Sequence, residues 1–239
     1  MLDPEDKMQN IEKEYPEIDD EYFFKIVRII SKHTLTDLPA QWALYKAIEY
    51  IVRNKIPGDI VECGVWNGGS ILLAAYALIH FGDTSRRLYL YDTFEGMPKP
   101  DLVDVNYNGD LALAAWHEFR CQGQIWGFGG TMAMVWDVVR IAGYPPEHIL
   151  FVKGMVEDTL PSTLPECISI LRLDTDLYSS TYHEFVHAYP ILSRGGILIV
   201  DDYGSFMGSR KATDQYISEN ALPLFLTRIN HGAYLAVKL

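Results

Sequence analysis

The sequence has few cysteines, few positive charges and no long apolar runs. Its three cysteines, Cys63, Cys121 and Cys167, show no C-x-x-C spacing, so we expect a reducing compartment and no disulfide framework. The net charge of −12, from 20 Lys and Arg against 32 Asp and Glu, argues against a nucleic-acid partner and gives no electrostatic reason to bind an acidic membrane surface. No apolar run reaches transmembrane length, and the acidic first residues are not typical of a signal peptide. These features of composition predict a soluble cytoplasmic protein.

Length and composition favour one compact α/β domain with a helical extension. The chain has 239 residues, of which 49% are hydrophobic, enough for one sizeable core. Apolar residues at helical spacing predict helices over 21–31 and 38–53, before the first strand. We therefore divide the chain into an N-terminal extension, residues 1–56, and an α/β domain, residues 57–239. The extension could be a lid, a cap or a dimer arm, or it could simply shield one face of the sheet. A homodimer is the assembly that we expect.

One stretch, residues 58–70, organises the rest of the chain. A short buried strand ends at Glu62, glycines beginning with Gly64 make a turn without side-chain bulk, and Ser70 is positioned to cap the helix that follows. A strand, a glycine turn and a helix start can bind a nucleotide-like ligand, although such turns also occur for packing alone. The glycine spacing matches neither G-x-G-x-x-G nor a Walker A loop. An acidic strand end before a loose glycine turn resembles the first motif of S-adenosylmethionine (SAM) methyltransferases.

Alternating and apolar segments predict a Rossmann-like α/β fold, with a doubly wound, seven-stranded sheet and helices on both faces. The C-terminal ends of its parallel strands should share one edge, where a ligand crevice opens. The expected strands are 59–63, 87–91, 149–152, 168–173 and 197–200, followed by an antiparallel hairpin of 224–226 and 234–237.

Acidic residues beyond the second and third strands fit a nucleoside. Asp92 ends the second strand, where a carboxylate can accept hydrogen bonds from ribose hydroxyls, although it could instead cap a helix after Thr93. Glu157 or Asp158 could accept from an adenine amino group, or cap a helix near residues 159–164. We count all four residues as candidate cofactor-binding positions.

Three further carboxylates, Asp174, Asp201 and Asp202, follow the fourth and fifth strands. They would repel one another at one sheet edge unless a cation lay between them, and Mg²⁺ takes carboxylate oxygens, waters and substrate oxygens. A hydroxyl held by such an ion loses its proton more readily, as O-methylation requires. Asp176 is an alternative ligand, or it orients Asp174. Alternatively, Asp202 caps a helix and Asp174 contacts a backbone amide.

The segment 95–130 is the least regular part of the chain. Glycines interleave with aromatic residues over 123–130, which suits a substrate loop at the ligand edge as well as an ordinary surface insertion. Either this loop or the N-terminal helices could form a lid.

A second motif, His183–His187, matches the zinc metalloprotease signature H-E-x-x-H. The helix expected over 182–192 leaves both histidines on the flank of its apolar stripe, so we expect a packing helix and no protease. The stripe consists of Tyr182, Phe185, Val186 and Tyr189.

Taken together, the motifs resemble the macrocin O-methyltransferase family, SAM-dependent enzymes that methylate sugar hydroxyls of natural products. The resemblance runs from about Thr34 to Tyr203. It rests on residues 56–70 (IPGDIVECGVWNGGS), 91–98 (YDTFEGMP), 158–161 (DTLP), 173–178 (LDTDLY) and 193–203 (SRGGILIVDDY).

This resemblance implies a class I SAM-dependent methyltransferase fold and a set of site residues. It implies that the metal chelates two adjacent sugar hydroxyls and that Asp174 is also the base. Asn67 stands where many members carry Arg, and residues 123–130 differ from the macrolide-acting members, so the acceptor stays open. The implied residues are Glu62, Gly64, Ser70 and Asp92 for SAM, and Asp174, Asp201 and Asp202 for Mg²⁺.

We therefore expect a metal-dependent SAM O-methyltransferase of the EC 2.1.1 class. Its acceptor would be a small molecule with a vicinal diol, first of all a sugar of a natural product or glycan, with a catechol-type aromatic diol as the alternative. The other class considered is a non-catalytic SAM-fold binding protein, against which the intact carboxylate set speaks. A dinucleotide oxidoreductase is disfavoured because the pyrophosphate fingerprint is missing.

Overall fold

The computed structural model describes residues 14–239, and a seven-stranded sheet lies at its centre. The strands, in chain order, are Asp59–Cys63 (β1), Leu88–Asp92 (β2), Ile149–Lys153 (β3), Ile168–Leu173 (β4), Leu192–Val200 (β5), Thr227–Arg228 (β6) and Tyr234–Val237 (β7). Their order in the sheet is β3-β2-β1-β4-β5-β7-β6. The first five strands are parallel, and β7 runs antiparallel to β5 and β6. The predicted seven-stranded fold is confirmed.

Helices cover both faces of this sheet and divide the core in two. They are Glu21–Ile30 (α1), Leu38–Arg53 (α2), Gly69–Phe81 (α3), Ala112–Cys121 (α4), Met132–Val139 (α5), Val156–Thr159 (α6), Tyr178–His187 (α7) and Met207–Glu219 (α8). Successive residues of β1 enter opposite cores, as the pleat of a strand requires. Ile60 packs in the core of α1, α2 and α3, whereas Val61 packs in the core of α7 and α8. Among the described residues, no helix has the length and apolar composition that a bilayer span needs.

The N-terminal extension packs into the main core. Asp20 caps α1 by accepting a hydrogen bond from the Phe23 amide (2.8 Å), and Asp37 caps α2 by accepting one from the Ala40 amide (3.0 Å). Phe23 is fully buried in the same cluster as β1 and α3. Residues 1–13 of the predicted extension lie outside the described part of the chain, and the division at residue 56 stays a prediction.

The start of α3 differs from the sequence prediction, because Ser70 does not cap it. Gly68 occupies the N-cap position with a φ of 81°, and Ser70 lies inside the first turn. Glycine is required by the close approach of α5, since a Cβ on Gly68 would stand 2.9 Å from Val135 Cγ1. Packing between two helices therefore decides how α3 begins.

Two helices and two strands differ most from their predicted bounds, and one of these, β5, begins five residues before the predicted 197–200. The short helix α6 precedes 159–164 because Pro161 cannot continue a helix. The helix α7 starts four residues before the predicted 182–192, where the Asp104 carboxylate accepts a hydrogen bond from the Tyr178 amide (2.8 Å). The strand β6 lies beyond the predicted 224–226, because a tight turn at Asn230 fixes which residues face β7.

Candidate active site

A cavity of about 380 Å³ opens at the edge where the parallel strands end. Its walls are the loops after β1 to β5 and the connector between α1 and α2, residues 33–36. Glu62 lies buried beneath the wall, and Asp158 is exposed and does not line the cavity. The other predicted site residues line it: Gly64, Ser70, Asp92, Thr93, Glu157, Asp174, Asp201 and Asp202.

Gly64 brings the loop after β1 against the loop after β4. Its φ is 86°, and a Cβ at this position would overlap the backbone carbonyl oxygen of Asp174. The Gly64 amide donates a hydrogen bond to the Tyr91 carbonyl (2.8 Å). Only glycine allows both this backbone conformation and this close approach. The glycine turn and the carboxylate loop are therefore held at a fixed spacing.

The Asp92 carboxylate holds the glycine turn from the other side. Its Oδ2 accepts hydrogen bonds from the amides of Val65 (2.7 Å) and Trp66 (3.1 Å). Its Oδ1 accepts one from the Phe94 amide (2.7 Å). Asp92 thus bonds to backbone amides and still faces the cavity, and its predicted ribose contact stays a prediction.

The remaining cofactor candidates have different surroundings. The Thr93 hydroxyl donates to the Gly96 carbonyl (2.6 Å) and so closes the turn after β2. Glu157 faces the cavity from the first turn of α6, beside the exposed Asp158. The N-cap of α6 is Met155, so neither acidic residue caps that helix. The adenine contact proposed for Glu157 or Asp158 stays a prediction.

A buried arginine, Arg172, joins the two halves of the site. Its Nη1 lies 2.5 Å from Glu62 Oε1 and 2.6 Å from Asp174 Oδ2, and its Nη2 lies 2.8 Å from Asp201 Oδ1. The contact with Asp201 is an ion pair without hydrogen-bond alignment. Sequence reasoning missed this residue, although a lone arginine in the apolar strand segment 168–173 was a visible signal.

Burial dominates the electrostatics of Glu62. It raises the pKa of Glu62 to about 7, although the adjacent Arg172 guanidinium pulls that pKa down. Glu62 Oε1 is held by the guanidinium, whereas Oε2 is buried with no hydrogen-bond partner within residues 14–239. Burying a carboxylate oxygen without a hydrogen-bond partner is energetically unfavourable, so Glu62 Oε2 can accept a hydrogen bond from a cationic or N–H group.

Three carboxylates meet at the ends of β4 and β5, and they are two of the predicted metal ligands together with the predicted alternative, Asp176. Asp174, Asp176 and Asp202 each offer an oxygen within 4.8 Å of the others. In the described part of the chain, Asp202 Oδ2 is buried without a hydrogen-bond partner. Asp176 has a left-handed φ of 65°, which turns its side chain into this group. Asp201 instead forms an ion pair with Arg172.

Burial and mutual repulsion disfavour the charged forms of this carboxylate group. Burial, the larger cause, and mutual repulsion raise the pKa values of Asp174 and Asp202 well above the ordinary range. Burial and the neighbouring carboxylates raise the pKa of Asp176 to about 7. Carboxylates this close keep their charges only beside a cation, and a divalent ion with oxygen ligands suits them.

Two segments line the cavity beside the glycine turn, and each belongs to one of the predicted lid candidates, whose lid role stays a prediction. The connector 33–36 is fixed where the His33 carbonyl accepts a hydrogen bond from the Gly69 amide (2.9 Å). The loop 123–130 packs Gly129 against the indole of Trp66, so closely that a Cβ would overlap the ring. Both segments therefore rest on the glycine turn after β1.

The H-E-x-x-H motif separates its glutamate from its histidines. The rings of His183 and His187 lie side by side, with centroids 4.3 Å apart, and both are half-buried. Glu184 is fully buried and accepts a hydrogen bond from the Thr175 hydroxyl (3.0 Å). Burial raises its pKa well above the ordinary range. Val186, predicted on the apolar stripe, is 38% exposed because Glu184 takes the inward position.

Similarity to known proteins extends over most of the chain. The sequence profile of the macrocin-O-methyltransferase (TylF) family matches residues 33–236. The 8-demethyl-8-(2,3-dimethoxy-alpha-L-rhamnosyl)-tetracenomycin-C 4'-O-methyltransferase of Streptomyces olivaceus is 34% identical over 175 residues, which cover 72% of this chain and 62% of that protein. The chain thus spans less than two thirds of this relative's length. The mycinamicin III 3''-O-methyltransferase of Micromonospora griseorubida is 30% identical over 203 residues, covering 84% and 77%.

Solved structures agree with this assignment. The structure of the O-methyltransferase NovP superimposes with a TM-score of 0.74 at 27% sequence identity. The match covers 86% of this chain and 82% of that one. The sheet and its helices are therefore those of a class I SAM-dependent O-methyltransferase.

Proposed function

Since this chain belongs to the macrocin-O-methyltransferase family, we propose that it transfers the methyl group of SAM to a sugar hydroxyl of a small molecule. The observation that carries the proposal is one cavity that joins the glycine turn after β1 to the carboxylates of Asp174, Asp176 and Asp202. Two relatives, named as a 4'-O-methyltransferase of a rhamnosyl-tetracenomycin and a 3''-O-methyltransferase of mycinamicin III, support an oxygen acceptor. The expected homodimer and cytoplasmic location stay proposals beside this one.

SAM suits the charge of this cavity. The cofactor carries an ammonium and a sulfonium, and acidic side chains line the cavity on several sides. We propose that the unpartnered Oε2 of Glu62 serves the ammonium end, close to Gly64 and Ser70. Asp92, with Thr93 beside it, would serve the ribose hydroxyls. Adenine would lie toward the loop after β3 and the helix α6 that follows it, whose first turn contains Glu157 and Asp158.

Mg²⁺ is the metal that we propose, and the residues fit it. Asp174, Asp176 and Asp202 form a close set of carboxylate oxygens, and Asp202 Oδ2 has no partner in the described residues. We propose Asp174 and Asp202 as two ligands, with the third from Asp176 or Asp201. When bound, a divalent ion lowers the pKa of a hydroxyl that it holds and offsets the clustered negative charge.

The contribution of the chain itself is orientation and one proton transfer. The Asp174 side chain is 24% exposed toward the cavity, and we propose that its carboxylate accepts the hydroxyl proton. When bound, SAM would supply the methyl group: its carbon–sulfur bond would break as the acceptor oxygen bonds to the methyl carbon, which leaves S-adenosylhomocysteine. Positioning is the main requirement, because the methyl group is already activated. The two covering segments would keep water away from it.

The charges favour a sugar on a neutral, apolar body over a nucleotide sugar. Among the described residues that line the cavity, Arg172 is the one Lys or Arg side chain. Arg172 is already held by carboxylates, so a diphosphate would find little to bind. Exposed apolar side chains of the segments 33–36 and 123–130, Leu35, Ile125 and Phe128, suit an apolar aglycone. A catechol remains the alternative acceptor, since aromatic rings would find the same surface.

Calorimetry tests the two ligands separately. We expect SAM to bind with a dissociation constant on the order of micromolar, which corresponds to about 8 kcal/mol. Asp202→Asn should lose the heat of Mg²⁺ binding and keep SAM binding within about threefold, since truncating one carboxylate of a hard-ion site acts on that site. The matched control is Asp137→Asn, an exposed carboxylate on α5, which should change neither.

An acceptor panel with labelled SAM completes the test. We expect methyl transfer to glycosides that carry a vicinal diol, with little transfer to nucleotide sugars or catechols. Absence of SAM binding in the unmodified protein would contradict the function. Full turnover by Asp202→Asn would contradict the metal role alone, and preferential methylation of catechols would contradict the sugar acceptor.

A further inference from the structure

We infer that Arg172 couples the cofactor site to the carboxylate site, so that SAM and Mg²⁺ bind interdependently. The inference rests on the proposed function only for the identity of these two ligands. One guanidinium contacts Glu62, the carboxylate on the cofactor side, and both Asp174 and Asp201 on the other side. A change in the contacts of Arg172 with the carboxylates on one side must therefore alter how strongly it binds the carboxylates on the other side.

Strand register explains why a single side chain reaches both sites. Glu62 on β1 and Arg172 on β4 are paired residues of adjacent parallel strands. Asp174 follows two residues later, and its amide donates to the Cys63 carbonyl (2.8 Å). The Asp201 amide donates to the Leu173 carbonyl (2.9 Å), which brings the end of β5 alongside. Three strand ends thus converge on one guanidinium.

Burial makes the competition for this guanidinium strong. The Arg172 side chain is 6% exposed and that of Glu62 is 3% exposed, whereas Asp174 and Asp201 are partly exposed. Charges in such surroundings interact more strongly than in water. One guanidinium faces three carboxylates, so each carboxylate holds it at the expense of the others. Arg172 is therefore an internal cation that both sites share.

The direction of the coupling follows from the same contacts. With a cation held by Asp174 and Asp202, Asp174 would bind Arg172 Nη1 less tightly, and the other partner of Nη1 is Glu62. The guanidinium then neutralises Glu62 more completely, and the ammonium of SAM meets a weaker negative charge. Mg²⁺ should accordingly weaken SAM binding, and SAM must weaken Mg²⁺ binding by the same factor.

The test compares SAM affinity with and without the metal. SAM is titrated calorimetrically into the protein in EDTA and in saturating MgCl₂. In the unmodified protein we expect binding about fivefold weaker in Mg²⁺, at the lower end for coupled sites. In Arg172→Met the two affinities should agree within about twofold. Arg172→Lys should behave likewise, because an ammonium keeps the charge but does not bridge two carboxylates as a guanidinium fork does.

A second buried arginine provides the control. Arg86 lies at the opposite edge of the sheet, where it pairs with Asp83 and donates to the Gly58 carbonyl. It is 9% exposed, so Arg86→Met removes a comparable buried guanidinium. This variant should lose stability but keep the fivefold effect of Mg²⁺ on SAM. If Arg172 had only a structural role, Arg172→Met would behave like Arg86→Met: it would lose stability and keep the fivefold effect of Mg²⁺ on SAM affinity.

The outcomes separate the coupling from the proposed function. An unchanged effect of Mg²⁺ in Arg172→Met, or no effect in the unmodified protein, would overturn the coupling while SAM binding itself stands. If circular dichroism finds Arg172→Met unfolded, Arg172→Lys decides by the same criterion. An unmodified protein that binds no SAM at all would overturn the proposed function instead.

Discussion

Replacing Phe23 with alanine tests whether the N-terminal helices are part of the domain or a detachable lid. Phe23 is fully buried, and its ring contacts Trp42 (centroids 4.8 Å apart) and Tyr45 (5.2 Å) of α2. Truncating a buried phenylalanine costs about 3–5 kcal/mol, because both transfer energy and packing are lost. The free energy of unfolding of the whole protein should fall by that amount, a large part of the roughly 5–15 kcal/mol typical of domains.

Urea unfolding followed by circular dichroism measures this loss. A domain of this size loses about 2–4 °C in Tm per kcal/mol, so heating should give a shift of roughly 6–20 °C. The control is Phe225→Ala, because Phe225 is 84% exposed and its loss should stay within about 0.5 kcal/mol. A loss below about 1 kcal/mol in Phe23→Ala, or a separate early transition, would refute the single core.

Two further predictions use the glycine turn and the buried acid of α7. Gly64→Ala should abolish SAM binding by calorimetry, because its Cβ would overlap the Asp174 carbonyl. Gly82→Ala, with a similar φ of 80° but open space around it, should bind SAM normally and lose only about 1 kcal/mol of stability; equal effects would refute the steric argument. For Glu184, the raised pKa means that the neutral acid stabilises the fold fully below about pH 4.3, the ordinary pKa, and less as pH rises through the folded pKa. Glu184→Gln cannot ionise. Its unfolding free energy, relative to that of the unmodified protein, should therefore increase as the pH rises from 5 to 9; parallel pH curves for the two proteins would contradict a neutral Glu184.

The sheet could be predicted because its strands carry local signals. Runs such as Ile168–Leu173 are apolar, bounded by turn residues and fully buried in the structure, so composition and burial agree. The convergence of acidic residues was also predictable, since the ends of parallel strands share one edge. Asp174 and Asp202 illustrate this, because Asp174 directly follows β4, Asp202 lies two residues beyond β5, and both line the cavity.

Features that depend on contacts between distant segments could not be read from the sequence. Asp176 was predicted as an alternative ligand, but the left-handed backbone conformation with which it joins the carboxylate group has no local sequence signal. Asp201 leaves that group because Arg172 holds it, and this pairing depends on the register of β4 against its neighbours. Asp104 fixes the start of α7 from a segment 74 residues earlier in the chain. For Asp201 and for the start of α7, the deciding partner is remote in sequence.

Asp92 indicates how the glycine turn is held in shape. Trp66 (φ 50°) and Phe94 (φ 52°) both adopt left-handed conformations that are unfavourable for residues with a side chain. The amides of both donate to the Asp92 carboxylate, together with that of Val65. Charge-assisted hydrogen bonds of this kind can offset the backbone strain. An acidic residue at the end of β2 therefore has a structural reason to be there, and a ribose contact would be a second use of oxygens that already shape the turn.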